Sequence, residues 1–447
     1  MATDFIIENT DARVQLLNAA PFRDSAKYVL YWAQVNRRAT WNHGLAHAVE
    51  LANRAGLPVL FYEGLTFDYP YASERFDQFV LNGVCDTGRE LERLGIGYIF
   101  HHRQKRSDPN DVLYRLAKDA AAVVTDAYPL WPARLFNPKV ASKLDIPYYA
   151  VDSSCIVPMS RFDKREYAAY TIRPKIRKLL PQYLRPMPAL RVRHKFRGER
   201  REYARSKPSG PFPGGSAAAH KRLKQFLRDS LHRYANSSNQ PSENATSGLS
   251  PYLHFGHISS LEVALAVQDY AHEHKLLPDE FLEELIVRRE LAFNFARFTE
   301  NPESLDVLPE WARKTLAKHS GDKRDPVYSR GQFERAETHD PLWNAAQKEL
   351  LLTGKIHGYY RMYWGKKIIE WSPSSEEALA TAIYLNNRYA LDGRDPNSIT
   401  NILWCFGLHD RPWVERPVFG QIRYMSYDGM RRKTDVDSYV RGIEYLQ

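Results

Sequence analysis

The residues best suited to chemistry lie within one stretch near the carboxyl end of the sequence, residues 338–397. It contains Trp343, Trp364 and Trp371, and cationic side chains alternate with its aromatic ones. Aromatic faces stack on flat ligands, and cations pair with anions. The pattern favours a site for a flat, charged ligand. The alternative is a buried aromatic stripe in an ordinary helical core.

Two helices must position these indoles. The first is predicted from Pro341 to Leu352, with Gly354 as its C-cap. The second is predicted from His357 to Trp371, ending before Pro373. Its two indoles are seven positions apart in the sequence, which places them about 10.5 Å apart along the helix axis. The residues predicted to share one face of this helix are Tyr360, Trp364, Ile368 and Trp371.

Two further segments offer polar groups for a ligand. NATSGLSPYLHFG (residues 244–256) places hydroxyl groups and a glycine before an apolar helix start, where backbone N–H groups can hold a diphosphate. YLNNRYALDGRDPN (residues 384–397) supplies the amide of Asn386 and the carboxyl of Asp392. The alternatives are an ordinary capping segment for the first and a helix end with a turn for the second.

Charged residues recur in two other places. FLEELIVRREL (residues 281–291) is predicted to place Glu284, Arg288 and Leu291 on one helical face, and a surface ion-pair face is the alternative. Residues 404–433 combine six cations with Trp404, Trp413 and other aromatic residues. Cations contact phosphates and aromatic rings stack on bases, so this region favours nucleic acid; the alternative is a basic surface over a core edge.

Composition agrees with a polyanionic partner. The net charge is +10 and the pI about 9.2, which favours nucleic acid. No apolar stretch is long enough for a membrane span, and the first residues lack the features of a signal peptide. Three cysteines in 447 residues suit a reducing cytoplasm, the predicted location, and they lack metal-ligand spacing.

The chain length favours two domains. After a predicted leading helix or arm over residues 1–25, strands and helices alternate through about residue 160, as in a doubly wound parallel sheet. A GxGxxG dinucleotide motif is absent after the first strand. Residues 161–215 are basic and contain prolines and glycines, which predicts an interdomain linker or a DNA-facing surface. Residues 216–447 are predicted to form an all-α domain.

Several long blocks, in order, closely resemble class-II cyclobutane pyrimidine dimer photolyases of the photolyase/cryptochrome superfamily. They are SGLSPYLHFGHIS, FLEELIVRREL, THDPLWNAAQ, GKIHGYYRMYWGKKIIEW, YLNNRYALDGRDPN and IRYM…RRKTDV. The resemblance is strong from Gly214 to Tyr439 and weaker before that. It implies an antenna-type α/β domain, an all-α FAD-binding domain, and light-driven repair of pyrimidine dimers in double-stranded DNA by a monomer.

The resemblance also implies roles for residues that hold FAD in a bent form. Arg361 would pair with the diphosphate, Asn386 would face the flavin N5, and Asp392 would bond the adenine or ribitol side. The remaining implied cofactor residues are Tyr234, Thr246, Ser247, Gly248, Leu249, Ser250 and Arg288.

The lesion and its DNA would be bound by other residues of the same blocks. Glu284, or Glu283 if the register differs by one, would contact the dimer together with Met362 and Trp404. Trp413 and Arg423 would fill the hole left by the flipped dimer. The other cations predicted to bind DNA are Arg416 and Arg431.

The resemblance assigns the tryptophans to electron transfer. Trp364, Trp343 and Trp371 would carry electrons to oxidised flavin, with Trp364 nearest to it. Phe293 stands where class-II enzymes usually carry aspartate, and Ser238 where an arginine is expected. A cryptochrome-like photoreceptor is the main alternative function, and a deazaflavin, a folate or no second chromophore are all open.

Overall fold

The computed structural model describes residues 11–198, 203, 206–207 and 210–446. Its contacts divide the chain into two compact units, each built from several segments of the sequence. The first consists of Met1–Asp163, Ile176–Leu223 and Leu249–Glu273, and the second of Lys164–Lys175, Lys224–Gly248 and His274–Gln447. The three-part division predicted from composition, with boundaries near residues 160 and 215, stays a prediction.

One sheet forms the centre of the first unit. Its strands are β1 (Val14–Leu16), β2 (Tyr28–Ala33), β3 (Val59–Thr66), β4 (Gly97–Arg103), β5 (Ala120–Asp126) and β6 (Tyr148–Val151). Their order is β1-β6-β5-β2-β3-β4, and only β1 pairs antiparallel. The predicted doubly wound sheet is confirmed. Of the two predictions for residues 1–25, a helix or an arm, the helix is wrong over the described part, where β1 adds an edge strand. Residues 1–10 lie outside the described residues.

Helices cover both faces of this sheet. They are α1 (His43–Ala55), α2 (Glu74–Leu94), α3 (Val112–Ala117) and α4 (Ala133–Ala141). Side chains alternate between the faces of a strand, so Tyr31 of β2 packs in a core with Leu45 of α1, while Leu30 packs in a second core with Leu113 of α3. Helix α1 is capped by Asn42, which accepts the Leu45 N–H at 3.0 Å.

A buried carboxylate closes the loop between β2 and α1. Asp126, at the end of β5, accepts the backbone N–H groups of Gln34, Val35 and Asn36 at 2.8–3.0 Å. It also accepts the Tyr31 hydroxyl at 2.8 Å and the Asn36 amide at 2.9 Å. Because every one of these donors is buried, the carboxylate replaces water for all of them.

Helices follow one another through the rest of the chain. They are α5 (Ala169–Tyr183), α6 (Ser216–Asp229), α7 (Tyr234–Ser237), α8 (Ser250–His254), α9 (Ser260–His274), α10 (Asp279–Leu282), α11 (Arg289–Arg297), α12 (Glu310–Lys318), α13 (Arg330–Glu334), α14 (Pro341–Thr353), α15 (Gly358–Trp371), α16 (Ser375–Tyr389), α17 (Pro396–Cys405), α18 (Tyr427–Lys433) and α19 (Val436–Glu444). The predicted all-helical carboxyl half is confirmed, and α5 lies within the segment predicted as a linker.

Helix α15 lies at the centre of the second unit, in contact with α14, α16 and α17. Asp340 caps α14 by accepting the Trp343 N–H at 2.9 Å, and Gly354 ends it in a left-handed conformation with φ 79°. The tight turn brings α15 back against α14. The candidate site is therefore built around one helix that has neighbours on several sides.

The described residues contain neither a membrane-spanning helix nor a cluster of metal ligands. Among residues 11–198, 203, 206–207 and 210–446, no helix is long and apolar enough to cross a bilayer. The same residues contain no group of three or more His, Cys, Asp and Glu side chains placed to hold a metal ion.

Replacing Asp126 with alanine should destabilise the protein strongly. The variant leaves several buried donors without an acceptor, so we expect the free energy of unfolding to fall by about 3 kcal/mol or more. Chemical denaturation measures the change. Asp145→Ala is the matched control, because Asp145 forms an exposed ion pair with Arg23 and should change stability by less than about 1 kcal/mol. Equal effects of the two substitutions would contradict the assignment.

Candidate functional site

Three buried tryptophans of the second unit form a continuous series. Trp343 of α14 stacks on Trp364 of α15, with ring centroids 6.3 Å apart and an interplanar angle of 4°. Trp343 also meets Trp371 edge-on, at 6.4 Å and 67°. Helical spacing predicts the separation of the two α15 indoles. The structure adds that Trp343 lies between them, so the order is Trp364, Trp343, Trp371.

Hydrogen bonds fix the orientation of the inner indoles. The Trp343 Nε1–H donates to the Trp364 carbonyl, and the Trp364 Nε1–H donates to Gln347 Oε1, both at 3.0 Å. Asp340 accepts the Tyr363 hydroxyl. Burial and the Asp340 charge together raise the pKa of Tyr363, so its hydroxyl stays protonated. The stacked pair is thus held by polar contacts as well as by packing.

The amino-terminal turn of α15 carries a cluster of charged groups. Arg361 Nη2 donates to Asp392 Oδ1 at 2.9 Å, and Lys355 Nζ lies 3.5 Å from Asp392 Oδ2. Burial lowers the pKa of Lys355, an effect that Asp392 opposes. The sequence predicted ligand-binding roles for Arg361 and Asp392 separately. It did not indicate that they pair, or that Lys355 joins them.

This cluster has unused donors that suit an anionic or oxygen-rich ligand. Arg361 Nε is buried and has no hydrogen-bond acceptor among the described residues. His357 accepts the Tyr359 N–H on Nδ1, which leaves the proton on a buried Nε2 with no partner in the same described set. Burial and the neighbouring cations lower the pKa of His357 to about 4, so the ring is neutral near pH 7.

Asn386 lies at the end of α16 with its side chain almost fully buried. Its Nδ2 donates to Ser398 Oγ and, at 3.3 Å, to Asn387 Oδ1. Asn387 Oδ1 also accepts the Arg394 N–H at 2.9 Å. The turn after α16 approaches closely, because a Cβ on Gly393 would lie 2.8 Å from the Asn386 carbonyl oxygen. The Asn386 amide is therefore held in one orientation.

The segment predicted to hold a diphosphate turns sharply before α8. Gly248 has φ 66°, a conformation that favours glycine, and Ser250 begins the helix. Thr246, Ser247 and Gly248 belong to the second unit, whereas Leu249 and Ser250 belong to the first. Binding by these five residues stays a prediction.

The two candidate glutamates lie in a π-helical turn, Glu283–Arg288, between α10 and α11. Glu283 accepts three hydrogen bonds from the Arg173 guanidinium, the shortest at 2.7 Å, and lies 3.7 Å from Arg288 Nε. Glu284 has no hydrogen bond to another described residue. Its side chain is exposed, yet enough protein surrounds it that burial raises the pKa of its carboxyl, an effect that Arg288 opposes. The Glu284 carboxyl is therefore partly desolvated although its side chain reaches solvent.

The π-turn changes which residues share a face. Hydrogen bonds spanning five residues rotate the helix beyond the turn relative to α-helical spacing. Leu291 is consequently buried while Glu284 and Arg288 are exposed, so the predicted shared face is wrong for Leu291. Tyr234 is half-buried between Phe226 and Phe281, and burial and the Glu284 charge raise its pKa. Tyr234 and Glu284 therefore belong to one region.

The residues predicted to contact DNA lie in two places, the segment after α17 and helix α18. The Arg423 guanidinium carbon lies 5.6 Å from the Trp404 ring centroid and 5.0 Å from that of Trp413. Arg416 lies over the ring of Tyr424 at 5.3 Å. Arg431 is on α18, where it pairs with Asp437 at 3.8 Å. The remaining predicted lesion contact, Met362, is half-buried on α15, and its carbonyl accepts the Cys405 thiol at 3.8 Å.

The two departures from the expected pattern have different environments. Phe293 is fully buried in α11, with the Arg289 guanidinium carbon 4.4 Å from its ring centroid. Ser238 is half-buried where α7 ends. Phe293 is thus a core residue, and nothing in the structure gives Ser238 a role.

Comparison with known proteins gave consistent matches. A family model described as DNA photolyase matches residues 29–192. The chain is 42% identical over 446 residues to a deoxyribodipyrimidine photo-lyase of Methanothermobacter thermautotrophicus, covering 97% of this chain and 98% of that protein. It is 39% identical to the protein of the same name from Arabidopsis thaliana, covering 95% and 90%.

Solved structures share the fold at lower identity. A class III photolyase from Agrobacterium tumefaciens superposes with a TM-score of 0.71 at 18% identity, covering 94% of this chain and 89% of that one. A cryptochrome from Synechocystis superposes with a TM-score of 0.72 at 17% identity, covering 93% and 88%.

The two glutamates of the π-turn should respond oppositely to substitution by glutamine. Glu283→Gln breaks the bidentate pair with Arg173 and should lower stability, by about 1 kcal/mol or less for a partly exposed pair. Glu284→Gln removes a carboxylate that is partly desolvated and unpaired, so stability near pH 7 should not fall. Thermal unfolding distinguishes the two variants.

The stability gained in Glu284→Gln should depend on pH. The pKa of Glu284 in the folded state lies above its ordinary value of 4.5. The parent therefore loses stability as the pH rises from 4.5 through the folded-state pKa. The difference between variant and parent should therefore grow across this window and then stay constant. A difference that shrinks with rising pH would show that Glu284 is not desolvated.

Proposed function

This chain belongs to the DNA photolyase family, and we propose that it is a light-dependent DNA repair enzyme that splits cyclobutane pyrimidine dimers. The proposal makes it a carbon–carbon lyase that uses reduced FAD. We assign it to class II from the sequence blocks described above. The observation that carries the proposal is the arrangement of α15, which presents the unused donor of Arg361 one turn away from the inner indole, Trp364.

Arg361 is the residue best placed to bind the FAD diphosphate. Its buried Nε–H needs an acceptor, and a phosphate oxygen supplies one through a charge-assisted bond. Asp392 already orients the guanidinium, so in this proposal Asp392 acts on the cofactor partly through Arg361. Asn386, with its amide held by Ser398, would face the flavin. For Tyr234, Arg288 and residues 246–250 we propose the FAD-binding role that the family resemblance implies.

Glu284 is the glutamate we assign to the dimer. Glu283 is already paired with Arg173, whereas Glu284 forms no hydrogen bond or ion pair with the described residues and its carboxyl is partly desolvated. A carboxyl whose pKa is raised can hold a proton and donate it in a hydrogen bond to a pyrimidine carbonyl. Met362 and Trp404 would contact the rest of the lesion. When bound, reduced FAD would supply the light-driven electron that lets both linking C–C bonds of the dimer break, and it would regain that electron afterwards.

DNA binding would rest on Arg416, Arg423 and Arg431 with Trp413. A dimer inside a duplex must be flipped out for reaction. Unstacking and unpairing it costs a few kcal/mol of free energy, and this cost is lowest where the duplex is already damaged. Arg423 and Trp413 would fill the space left behind. Because cations neutralise phosphates, affinity should fall with added salt.

The antenna chromophore, the oligomeric state and the cellular location are further parts of the proposal. A deazaflavin or a folate in the first unit would be the antenna chromophore, and release of chromophores from the purified protein identifies it. We also propose a monomer that works in the cytoplasm. Light scattering and cell fractionation check these two points.

Dimer repair is the direct test of the function. Purified protein should carry flavin absorbance near 450 nm and, once reduced, restore dimer-containing oligonucleotide under blue light but not in the dark. Bound flavin without repair would favour a cryptochrome-like photoreceptor. Protein that binds DNA but no flavin would favour a binding module without catalysis.

Photoreduction should require Trp364. Replacing it with phenylalanine removes the inner indole, and we expect light-driven reduction of oxidised FAD to be blocked while the FAD content stays unchanged. Trp311→Phe is the matched control, since Trp311 lies on α12, outside the indole series, and hydrogen-bonds Tyr167. Photoreduction at the parental rate in Trp364→Phe would refute the role.

A further inference from the structure

Lys366 of α15 is a buried cation without a carboxylate partner. It has no exposed surface, and no Asp or Glu oxygen of the described residues lies within 4.0 Å of its Nζ. Its Nζ donates to the Cys405 carbonyl at 2.6 Å. Burying an ammonium is costly unless polar groups compensate for lost water. A single carbonyl is little compensation, so a second favourable contact is needed.

Close helix packing creates this position. A Cβ on Gly365 would lie 2.7 Å from Cys405 Sγ, so glycine lets α15 approach α17 there. The neighbouring Lys366 then reaches the last carbonyl of α17. The carboxyl end of a helix carries partial negative charge, which favours a cation.

The second contact of Lys366 is the ring of Trp404, whose centroid lies 5.0 Å from Nζ. Arg423 lies 5.6 Å from the same ring and 5.0 Å from Trp413, and Arg411 lies 4.6 Å from Trp413. Cations and indoles therefore alternate from a buried start to an exposed end. We call this series, Lys366–Trp404–Arg423–Trp413–Arg411, the cation–indole column.

We propose that Lys366 is a positioning residue for lesion recognition, which fixes Trp404 and, through the cation–indole column, holds Arg423 and Trp413 ready for an extruded dimer. The inference rests on the proposed function, because it is that proposal which places Trp404 at the lesion. Lys366 itself touches neither DNA nor the cofactor in this account. Its effect is to make the lesion-binding side chains rigid before DNA arrives, which reduces the entropy lost on binding.

Protonation of Lys366 controls the column. The pKa of its ammonium is lowered to about 8, chiefly by burial and also by the Arg423 charge, while the Cys405 thiol and Asp410 oppose the shift. Burial raises the pKa of that thiol to about 11, so it stays neutral where Lys366 titrates. These are the ionisable groups facing Lys366 from α17 and the segment after it. Below pH 8 the ammonium is charged and binds the indole; above it, the attraction is progressively lost.

The experiment compares binding of a duplex containing one dimer with binding of the undamaged duplex. Lys366→Met keeps the length of the side chain but removes the charge. Ordering one flexible side chain on binding lowers affinity by up to about tenfold, so the dimer duplex should bind about that much more weakly once Trp404 is no longer fixed in advance. The affinity of Lys366→Met for the undamaged duplex should fall no more than the affinity of Lys314→Met for it. Lys314 is the matched control because its ammonium is exposed and pairs with Glu310 on the same helix.

A pH series on the parent keeps the inference testable if Lys366→Met folds poorly. The ratio of dimer to undamaged affinity should be constant below pH 7 and fall through about pH 8, and this step should be absent in the variant. A helix-capping role alone would weaken folding without producing the step. A flat ratio in the parent, or full dimer affinity in the variant, overturns the inference. If the parent protein itself shows no preference for the dimer duplex, the proposed function is contradicted, and not this inference alone.

Discussion

The second unit is organised around the burial of three cations on one helix. Arg361, Lys366 and Lys367 of α15 all lie largely out of water, although an uncompensated buried charge would cost far more than a folded protein can tolerate. Different groups compensate the charge of each cation. Arg361 pairs with Asp392, Lys366 uses a helix-end carbonyl and an indole, and Lys367 pairs with Glu370 among aromatic rings. The packing of the surrounding helices follows from these pairings.

The cations also divide the aromatic residues of this unit into two groups. Trp364 and Trp343 stack on each other and are held by neutral hydrogen bonds. Trp404 and Trp413 instead stand between cations. A positive charge beside a ring disfavours loss of an electron from it. Trp364 and Trp343 are therefore suited to electron transfer, and Trp404 and Trp413 to holding a position against DNA. Trp371 is an intermediate case, because Lys367 Nζ lies 5.3 Å from its ring centroid but is paired with Glu370.

Much of this arrangement was predictable from the sequence, because long periodic segments determine their own structure. The parallel sheet was predicted as a fold, and α14 and α15 were predicted within a few residues, since their apolar patterns and their glycine or proline ends are strong. Strand β1 was missed because three residues with mostly exposed side chains carry no pattern. The π-turn at Glu283–Arg288 was missed because an extra residue in a helical turn leaves the composition unchanged.

The candidate site was predictable in its residues more than in its contacts. The family resemblance supplied Arg361, Asn386 and the three tryptophans, but pairing between distant segments depends on tertiary packing. The Arg361–Asp392 pair, the contribution of Lys355 and the place of Trp343 between two indoles of another helix all required coordinates. Lys366 was visible as a cation among aromatic residues, yet its full burial could not be inferred from that pattern.

The central claim is that the first turns of α15 hold the diphosphate of FAD while the next turn presents an indole to its flavin. A crystal structure of the purified, yellow protein tests this most directly. The account predicts a phosphate oxygen bonded to Arg361 Nε, with the isoalloxazine ring beside Trp364 and Asn386. A cofactor bound elsewhere, with Arg361 directed only at Asp392 and protein side chains filling the space next to Trp364, would contradict it.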